Sequence, residues 1–256
     1  TASKHDPKVV YTGSQHVWRS ENAGESWTRI SGDLTYADPA TLGPSGGDIT
    51  RDQTSVEYYA TVWRITESPH ARGELWIGSD DGKVQLTRND GASWTDITPR
   101  ELPKFSRVHE VDVSPHTPGK AYITAVRYRS QDVAPYVFKT TDYGRTWSKI
   151  TNGIPAGHYV RSIREDLKRP GLLYAGTERG MLVSFDDGAT WQSLQLNLPV
   201  TQVAGIALKD DDIVIATHGR SYYVLDNAAP LRQASADLAQ RGAFLYKPTR
   251  FVRTLS

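Results

Sequence analysis

The sequence TTDYGRTW at residues 140–147 occurs, with small changes, four times in this chain. The other copies are SENAGESW at 20–27, TRNDGASW at 87–94 and SFDDGATW at 184–191. An Asx and a Gly between two β-rich runs let the chain reverse, because Gly adopts positive φ without strain and the polar side chains bond the turn backbone. The motif therefore predicts a β-hairpin turn and not a catalytic centre. Its fold-defining residues are Asn22, Gly24, Trp27, Asn89, Gly91, Trp94, Asp142, Gly144, Trp147, Asp186, Gly188 and Trp191.

The spacing of these turns indicates a repeated sheet. The four Trp residues lie 44 to 67 residues apart, the size of a β-propeller blade with insertions. Two strand-like runs precede each turn, and a short one follows it. Inner strands at 61–67, 109–114 and 161–165 precede three of the repeats, and a module at 203–225 keeps the strands but lacks the turn. We therefore expect an all-β chain, a β-propeller of about five four-stranded blades.

The ends of the chain interrupt this regularity. The first module, which begins near residue 4, has no inner strand of its own before it. Either a C-terminal strand at 243–248 supplies the missing inner strand, or that strand belonged to blades upstream of the first module. We assign residues 1–230 to the propeller and residues 231–256 to a C-terminal short helix, at 234–240, with a strand or tail. The longest segment without regular structure is 32–55, and a second insertion lies at 127–135.

The composition excludes several kinds of chemistry. There are 30 Lys and Arg against 29 Asp and Glu, so no bulk field favours nucleic acid, and none is expected as a partner. The absence of Cys excludes disulfides, thiolate nucleophiles and iron–sulfur clusters. No apolar run approaches the roughly 18 residues of a membrane-spanning helix. The His residues lack metal-ligand spacing and the Asp clusters lie at predicted turns, so neither a metal nor a cofactor is expected.

The four turn motifs resemble Asp boxes, the bacterial neuraminidase repeats of sialidases, xyloglucan-cleaving glycosidases, sortilin-type receptors and photosystem assembly propellers. The chain is also similar to large bacterial sortilin-like propeller proteins that carry a "glycosyl hydrolase" label. That similarity lies in GPSGG at 43–47, YVFKTTDYG at 136–144, RED at 164–166 and ATHGRS at 216–221. The resemblance implies the propeller fold and a periplasmic or extracellular location, with peripheral association to a membrane complex. An Asp box says little about function, which has to be argued from a site.

A glycosidase site would need two carboxyl groups at a suitable separation, beside groups that bind the sugar. The catalytic candidates are Glu165 and Asp166, with Arg164 and Arg220 as anion-binding groups beside them. Arg64, Arg164 and Arg220 lie on or beside inner strands and could converge on the axis. Such charges more often form structural ion pairs or lie in solvent. The sequence therefore favours a chain without catalytic residues.

These observations favour a non-catalytic scaffold that binds another protein, as an accessory subunit of a cell-envelope or membrane-associated complex. The candidate interaction residues are Arg127 and Arg129, near Tyr128, Tyr159 and Arg161. Further candidates are the loop 32–55 and the terminal segment 247–256, which contains Arg250, Phe251 and Arg253. The alternative is a glycoside hydrolase or carbohydrate-binding propeller with an axial site.

Overall fold

The computed structural model describes residues 1–43, 45–46, 51–52, 59–235 and 243–248. These residues form an all-β structure of antiparallel sheets with one short helix. Sheet 1 contains β1 (Val10–Gly13), β2 (Val17–Ser20) and β3 (Thr28–Arg29), and β4 (Ser45–Gly46) pairs with β5 (Arg51–Asp52). Sheet 2 contains β6 (Val62–Glu67), β7 (Leu75–Ser79), β8 (Val84–Thr87) and β9 (Thr95–Asp96). Sheet 3 contains β10 (Arg107–Val113), β11 (Ala121–Arg127), β12 (Asp132–Thr140) and β13 (Ser148–Lys149). Sheet 4 contains β14 (Val160–Glu165), β15 (Leu173–Thr177), β16 (Met181–Ser184) and β17 (Gln192–Ser193). Sheet 5 contains β18 (Val203–Lys209), β19 (Asp212–Thr217) and β20 (Tyr222–Leu225).

The sheets follow one another around a common axis. The inner strands β6, β10, β14 and β18 contact each other in chain order, and apolar clusters fill the space between successive sheets. Each strand alternates apolar residues toward one neighbouring sheet and then the other, so both faces of a central sheet are buried. Sheets 1 and 5 are not packed together, and the series of sheets in the described residues is open.

The four repeated turns share one pattern of hydrogen bonds. In the third turn, Gly144 donates its N–H to Thr140 Oγ1 at 3.0 Å, and Thr146 donates its N–H to Asp142 Oδ1 at 2.9 Å. The residue between the Asx and the Gly has positive φ, as at Tyr143 with 61°. The turn motif therefore satisfies its own backbone, as the sequence predicts.

The Trp that ends the motif also joins neighbouring sheets in three of the four copies. The indole N–H of Trp94, Trp147 and Trp191 donates to the carbonyl of Ile30, Ile97 and Ile150, at 3.0, 2.6 and 2.8 Å respectively. Each acceptor lies just after the last strand of the preceding sheet. The motif thus has a second role, because it locks one sheet to the one before it.

Histidines form a second, repeated connection on the same side of the molecule. His5 Nε2 lies 2.9 Å from the Ser68 carbonyl, His70 Nε2 lies 2.9 Å from that of Ser114, and His116 Nε2 lies 2.7 Å from that of Asp166. Each His lies just after the inner-strand position of its own sheet. Its imidazole contacts the carbonyl that lies just after the inner strand of the next sheet. These side chains are structural ties between sheets 1, 2, 3 and 4.

The two end sheets present faces that are buried elsewhere in the molecule. Trp27 is 40% exposed, and its indole N–H has no acceptor in the described part of the chain. In sheet 5, Tyr222 and Val224 are 73% and 54% exposed, whereas Met181 and Val183, at the matching positions of sheet 4, are buried. Both ends of the series are therefore built like internal joints between sheets.

The prediction of four strands is confirmed in sheets 2, 3 and 4 and is wrong for sheet 5, whereas sheet 1 lacks an inner strand, as the sequence also predicts. In sheet 1, the inner position holds only a stub, where the Tyr11 N–H donates to the Thr1 carbonyl at 2.8 Å and Ala2 bridges Val10. Sheet 5 lacks the turn motif that would lead into a fourth strand. After β20 the chain instead enters helix α1 (Ala229–Gln233), which has Pro230 in its first turn.

The two elements predicted after residue 230 also differ from the structure. Helix α1 ends before Ala234, whose backbone is extended, and residues 236–240 lie outside the described residues. Residues 243–248 form no strand and do not supply the missing inner strand of sheet 1. They are exposed, and Gln233 holds Lys247 through two backbone hydrogen bonds, at 2.8 and 3.0 Å. The proposed domain boundary at 230/231 stays a prediction.

Candidate functional site

The insertions of the chain share one face of the sheets. Because adjacent strands are antiparallel, the start of each inner strand lies at the same end of its sheet as the turn between the second and third strands. This end, the loop face, carries the connection from β3 to β6, the 127–132 turn and the 217–222 turn. The four repeated turns lie at the opposite end. The loop face is therefore where the chain departs most from its repeat, and departures of this kind carry function in many folds.

Aromatic and Arg side chains from neighbouring sheets meet on the loop face. Trp63 is 45% exposed, and the Arg107 guanidinium lies 4.2 Å above its ring. Tyr128 and Tyr159 stack with ring centroids 5.3 Å apart, and Arg161 lies about 5 Å from both. We call Trp63, Arg107, Tyr128, Arg129, Tyr159 and Arg161 the arginine–aromatic patch.

Polar contacts fix the side chains of the patch in place. Arg161 Nη2 donates to the Tyr159 hydroxyl at 3.2 Å, and its Nε lies 3.6 Å from Glu178. Arg127, at the edge of the patch, is fixed by Asp132 at 3.3 Å and by the Lys104 carbonyl at 3.1 Å. These contacts fix the guanidinium groups and tyrosine rings, which lowers the ordering entropy that binding would otherwise cost.

Electrostatics show an excess of positive charge in the patch. Burial lowers the pKa of Arg107, and the nearby Arg129 lowers it further. Burial alone would raise the pKa of Tyr128, but hydrogen bonds from Arg161 and Arg129 outweigh it and hold that pKa below the usual value. Burial and the charge of Arg161 lower the pKa of His109, beside Trp63, to about 4. The imidazole is therefore neutral near pH 7.

A second polar site lies on the axis, in a pocket of about 460 Å³. Glu110 is buried there and is bound by Arg64, with Nε 2.5 Å from Oε1, and by Arg164, with Nη1 2.9 Å from Oε2. Arg164 Nη1 also lies 3.6 Å from Asp112, whose Oδ2 accepts the Glu165 N–H at 2.8 Å. Burial raises the pKa of Asp112 to about 6, although Arg164 opposes this shift.

The sequence candidates for catalysis do not come together on this axis. Arg164 faces the pocket, whereas Glu165 is buried against Lys120 at 3.1 Å. Asp166 binds the Arg232 guanidinium at 2.9 Å, and this contact, with two backbone amides, lowers its pKa despite its burial. Arg220 lies exposed in the 217–222 turn and has no hydrogen bond or ion pair within the described ranges. The carboxylates that share the axial pocket with Arg64 and Arg164 are Glu67, Glu110 and Asp112.

The structure places some of the predicted interaction residues together and adds others. Arg161 contacts both tyrosines, Arg129 lies beside Tyr128, and Arg127 lies at the edge of the patch. Trp63 and Arg107 complete the patch, and the signal that could have found them is their position at the start of two inner strands. The predicted residues of the terminal segment, Arg250, Phe251 and Arg253, lie outside the described residues, as do residues 44, 47–50 and 53–55 of the loop 32–55.

Two further observations concern ligands and membranes. No group of three or more His, Asp or Glu side chains in the described ranges is arranged to hold a metal ion. Across the same residues, no helix has the length and apolar character that spanning a membrane requires.

Comparisons with known proteins identify the fold. No protein-family model and no curated protein matches the sequence. Among solved structures, the chain is similar to the GH74 xyloglucanase of Xanthomonas campestris, with a TM-score of 0.63 and 18% identity over 90% of this chain and 37% of that one. It is also similar to the GH74 enzyme of Niastella koreensis, with a TM-score of 0.58 and 15% identity over 85% of this chain and 33% of that one.

A third similar structure is the extracellular domain of a hybrid two-component system of B. thetaiotaomicron. Its TM-score is 0.56, with 19% identity over 95% of this chain and 27% of that one. The chain thus spans between about a quarter and two fifths of the length of these structures. The likeness shows that it has the fold of Asp-box β-propellers.

Proposed function

We propose that this chain is a non-catalytic β-propeller scaffold that binds another protein through the arginine–aromatic patch. The observation that carries the proposal is the combination of exposed Trp63 and fixed, closely packed Arg and Tyr side chains on the face that holds the insertions. Trp, Tyr and Arg are enriched among the residues that carry the binding energy at protein interfaces. Trp and Tyr bury large areas with few rotatable bonds, and Arg adds a planar group with several hydrogen-bond donors. An accessory role in a periplasmic or extracellular assembly, at the periphery of a membrane complex, fits the resemblance stated above.

The proposal is tested by capture of partners from the cell-envelope extract of the source cells. The bait is the full chain, compared with the Trp63→Ala/Arg107→Ala double variant. Arg88→Ala is the matched control, because its guanidinium lies 3.8 Å above the Tyr143 ring at the opposite end of the sheets. We expect the double variant to retain less than a tenth of the partner and the control to retain all of it. Equal retention by the double variant would refute the proposal.

A second candidate function is a carbohydrate-active site on the axis. It is favoured by one observation, that Glu110 and Asp112 share an open pocket with two arginines. Against it, both Arg64 and Arg164 are bound to Glu110, so neither guanidinium is free for a substrate. A glycoside screen with the wild type, Glu110→Gln and Asp112→Asn decides the matter. Hydrolysis that disappears in either variant would establish this function in place of the scaffold.

A further inference from the structure

The positive charges of the patch are not all balanced. Arg127 and Arg161 have acidic partners, Asp132 and Glu178. Arg107 and Arg129, in contrast, form no ion pair with any carboxylate in the described part of the chain. Arg107 is half-buried, whereas Arg129 is exposed. A half-buried guanidinium without a carboxylate in direct contact is costly, since a charge removed from water needs a partner. This imbalance favours an anionic ligand at these two residues.

A small pocket of about 110 Å³ lies between the unpaired arginines. Its other walls include Phe105, Val126, Tyr128 and Ser130. Asp80 also lines it; its carboxylate accepts the Thr61 N–H at 2.8 Å and the Thr61 hydroxyl at 3.1 Å, and its charge acts to raise the pKa of Arg107. Three arginines, Arg107, Arg127 and Arg129, line the pocket against this one carboxylate. A water molecule takes about 30 Å³, so the pocket has the size of a carboxyl group with one or two methylenes.

Much of the aromatic surface of the patch is already in contact with other side chains. Tyr128 and Tyr159 stack on each other, which covers one face of each ring, and Arg161 lies about 5 Å from both ring centroids. Arg107 covers one face of Trp63. What remains exposed is the rest of Trp63 together with Phe105, which is 37% exposed. These suit a short apolar side chain better than a sugar ring, which stacks on an open aromatic face.

We infer that the pocket between Arg107 and Arg129 receives a Glu or Asp side chain from an acidic peptide segment of the partner, while an adjacent apolar side chain packs on Trp63. This inference rests on the proposed function and adds the chemistry of the partner. Arg binds carboxylates with two parallel hydrogen bonds, and the aromatic walls exclude water from the pair. The interaction therefore depends on salt, since the exposed part of the charge is screened.

The test uses two labelled peptides and fluorescence anisotropy on the full chain. One peptide is an acetylated, amidated hexamer of alternating Glu and Leu, and the other replaces every Glu with Gln. We expect the Glu peptide to bind at least tenfold more tightly than the Gln peptide, and this ratio to fall toward one at high salt. In Arg107→Gln/Arg129→Gln the ratio is expected near one, while Arg88→Gln keeps the wild-type value. Arg129→Gln alone, at an exposed position, covers the case in which the double variant does not fold.

Three results would overturn the inference. The first is equal affinity for the two peptides, and the second is an unchanged ratio in both patch variants. The third is a higher affinity of the chain for an oligogalacturonate than for the Glu peptide that depends on Arg107 and Arg129, which would assign the pocket to an acidic glycan. If the peptides fail to bind while Trp63→Ala/Arg107→Ala still loses the captured partner, the carboxylate assignment fails and the proposed function stands. If that capture is also unaffected by the patch, both fail.

Discussion

The Trp residues of the repeated turns provide a direct test of how the sheets are joined. Trp191 is 5% exposed and donates its indole N–H to the Ile150 carbonyl of the preceding sheet at 2.8 Å. Trp27 occupies the same position of its own turn, yet it is 40% exposed and has no acceptor in the described residues. Replacement of each by Phe removes the indole N–H and part of the ring but keeps an aromatic side chain. The two substitutions therefore compare a Trp that is packed against another sheet with one that is not, within the described residues.

The expected cost of Trp191→Phe follows from two terms. A buried carbonyl left without its donor costs about 1–3 kcal/mol. The lost contact of the second ring adds about 1 kcal/mol, at about 25 cal/mol for each Å² of apolar surface. We therefore expect Trp191→Phe to lower the free energy of unfolding by about 2–4 kcal/mol. For Trp27→Phe there is no hydrogen bond to lose and less buried area, so the expected loss is below about 1 kcal/mol.

The measurement is urea unfolding followed by far-ultraviolet circular dichroism, because Trp fluorescence would itself change with the substitutions. Both variants are compared with the wild type at equal m-value, so that a shift in midpoint reports stability. Trp94→Phe, whose indole donates to Ile30 at 3.0 Å, serves as a second internal case and should resemble Trp191→Phe. If Trp27→Phe costs as much as Trp191→Phe, the Trp acts within its own turn and the role assigned to the inter-sheet bond is wrong.

Three further predictions concern the same joints and the two titrating groups. In the urea assay, Gly188→Ala should destabilise the protein by at least 1 kcal/mol more than Gly24→Ala. Both glycines have positive φ, but a Cβ at Gly188 would lie 2.5 Å from Ile150 Cδ1, whereas a Cβ at Gly24 would lie 3.7 Å from its nearest neighbour. Equal losses would mean that φ alone sets the cost. For His109, the folded pKa of about 4 lies below the unfolded value of about 6.5, so the unfolded chain binds more protons between these values and stability falls on acidification. Between pH 7 and pH 5, the free energy of unfolding of the wild type should fall by about 2 kcal/mol more than that of His109→Gln. Parallel curves of stability against pH for the two proteins would contradict this. For Asp112 the pH dependence of stability is opposite. Its folded pKa of about 6 exceeds the ordinary value, so the folded state disfavours the charged carboxylate and stability falls as pH rises. Asp112→Asn should therefore stabilise the protein by about 1–2 kcal/mol more at pH 8 than at pH 5, and a pH-independent effect would contradict that reading.

The sequence predicts the repeated part of this fold well, for a physical reason. A turn that satisfies its own backbone with Asx, Ser/Thr and Gly is encoded within eight residues, so residues such as Asp142 and Gly144 identify it without tertiary information. Sheet 5 and the C-terminal segment lack this local code. A helix forms at Ala229–Gln233, where Pro230 sets its start, and the backbone is extended at Ala234. The helix expected at 234–240 lies outside the described residues from residue 236 onward.

The candidate sites are less predictable because each inner strand contains an irregularity. The pairing of β6, β10, β14 and β18 with the next strand shifts register near its start, for example between Val108 and Glu110. Such a bulge changes which side chains face the axis, and strict alternation along the sequence then assigns the wrong face. Glu110 was missed for this reason, whereas Arg127 and Arg129 lie in an insertion whose composition alone marks it as a contact surface.

The repeated joints have a consequence for how such a molecule changes over evolutionary time. Each joint uses contacts between immediate neighbours only, so its stability is close to a local sum, as in other repeat proteins. Duplication of one turn-and-sheet unit would make a new joint without disturbing the existing ones, and the face that bears Tyr222 and Val224 is already shaped to receive it. Growth or shrinkage by whole units would leave the arginine–aromatic patch intact, because its residues come from sheets 2, 3 and 4. The binding surface can therefore be inherited unchanged while the number of units varies around it.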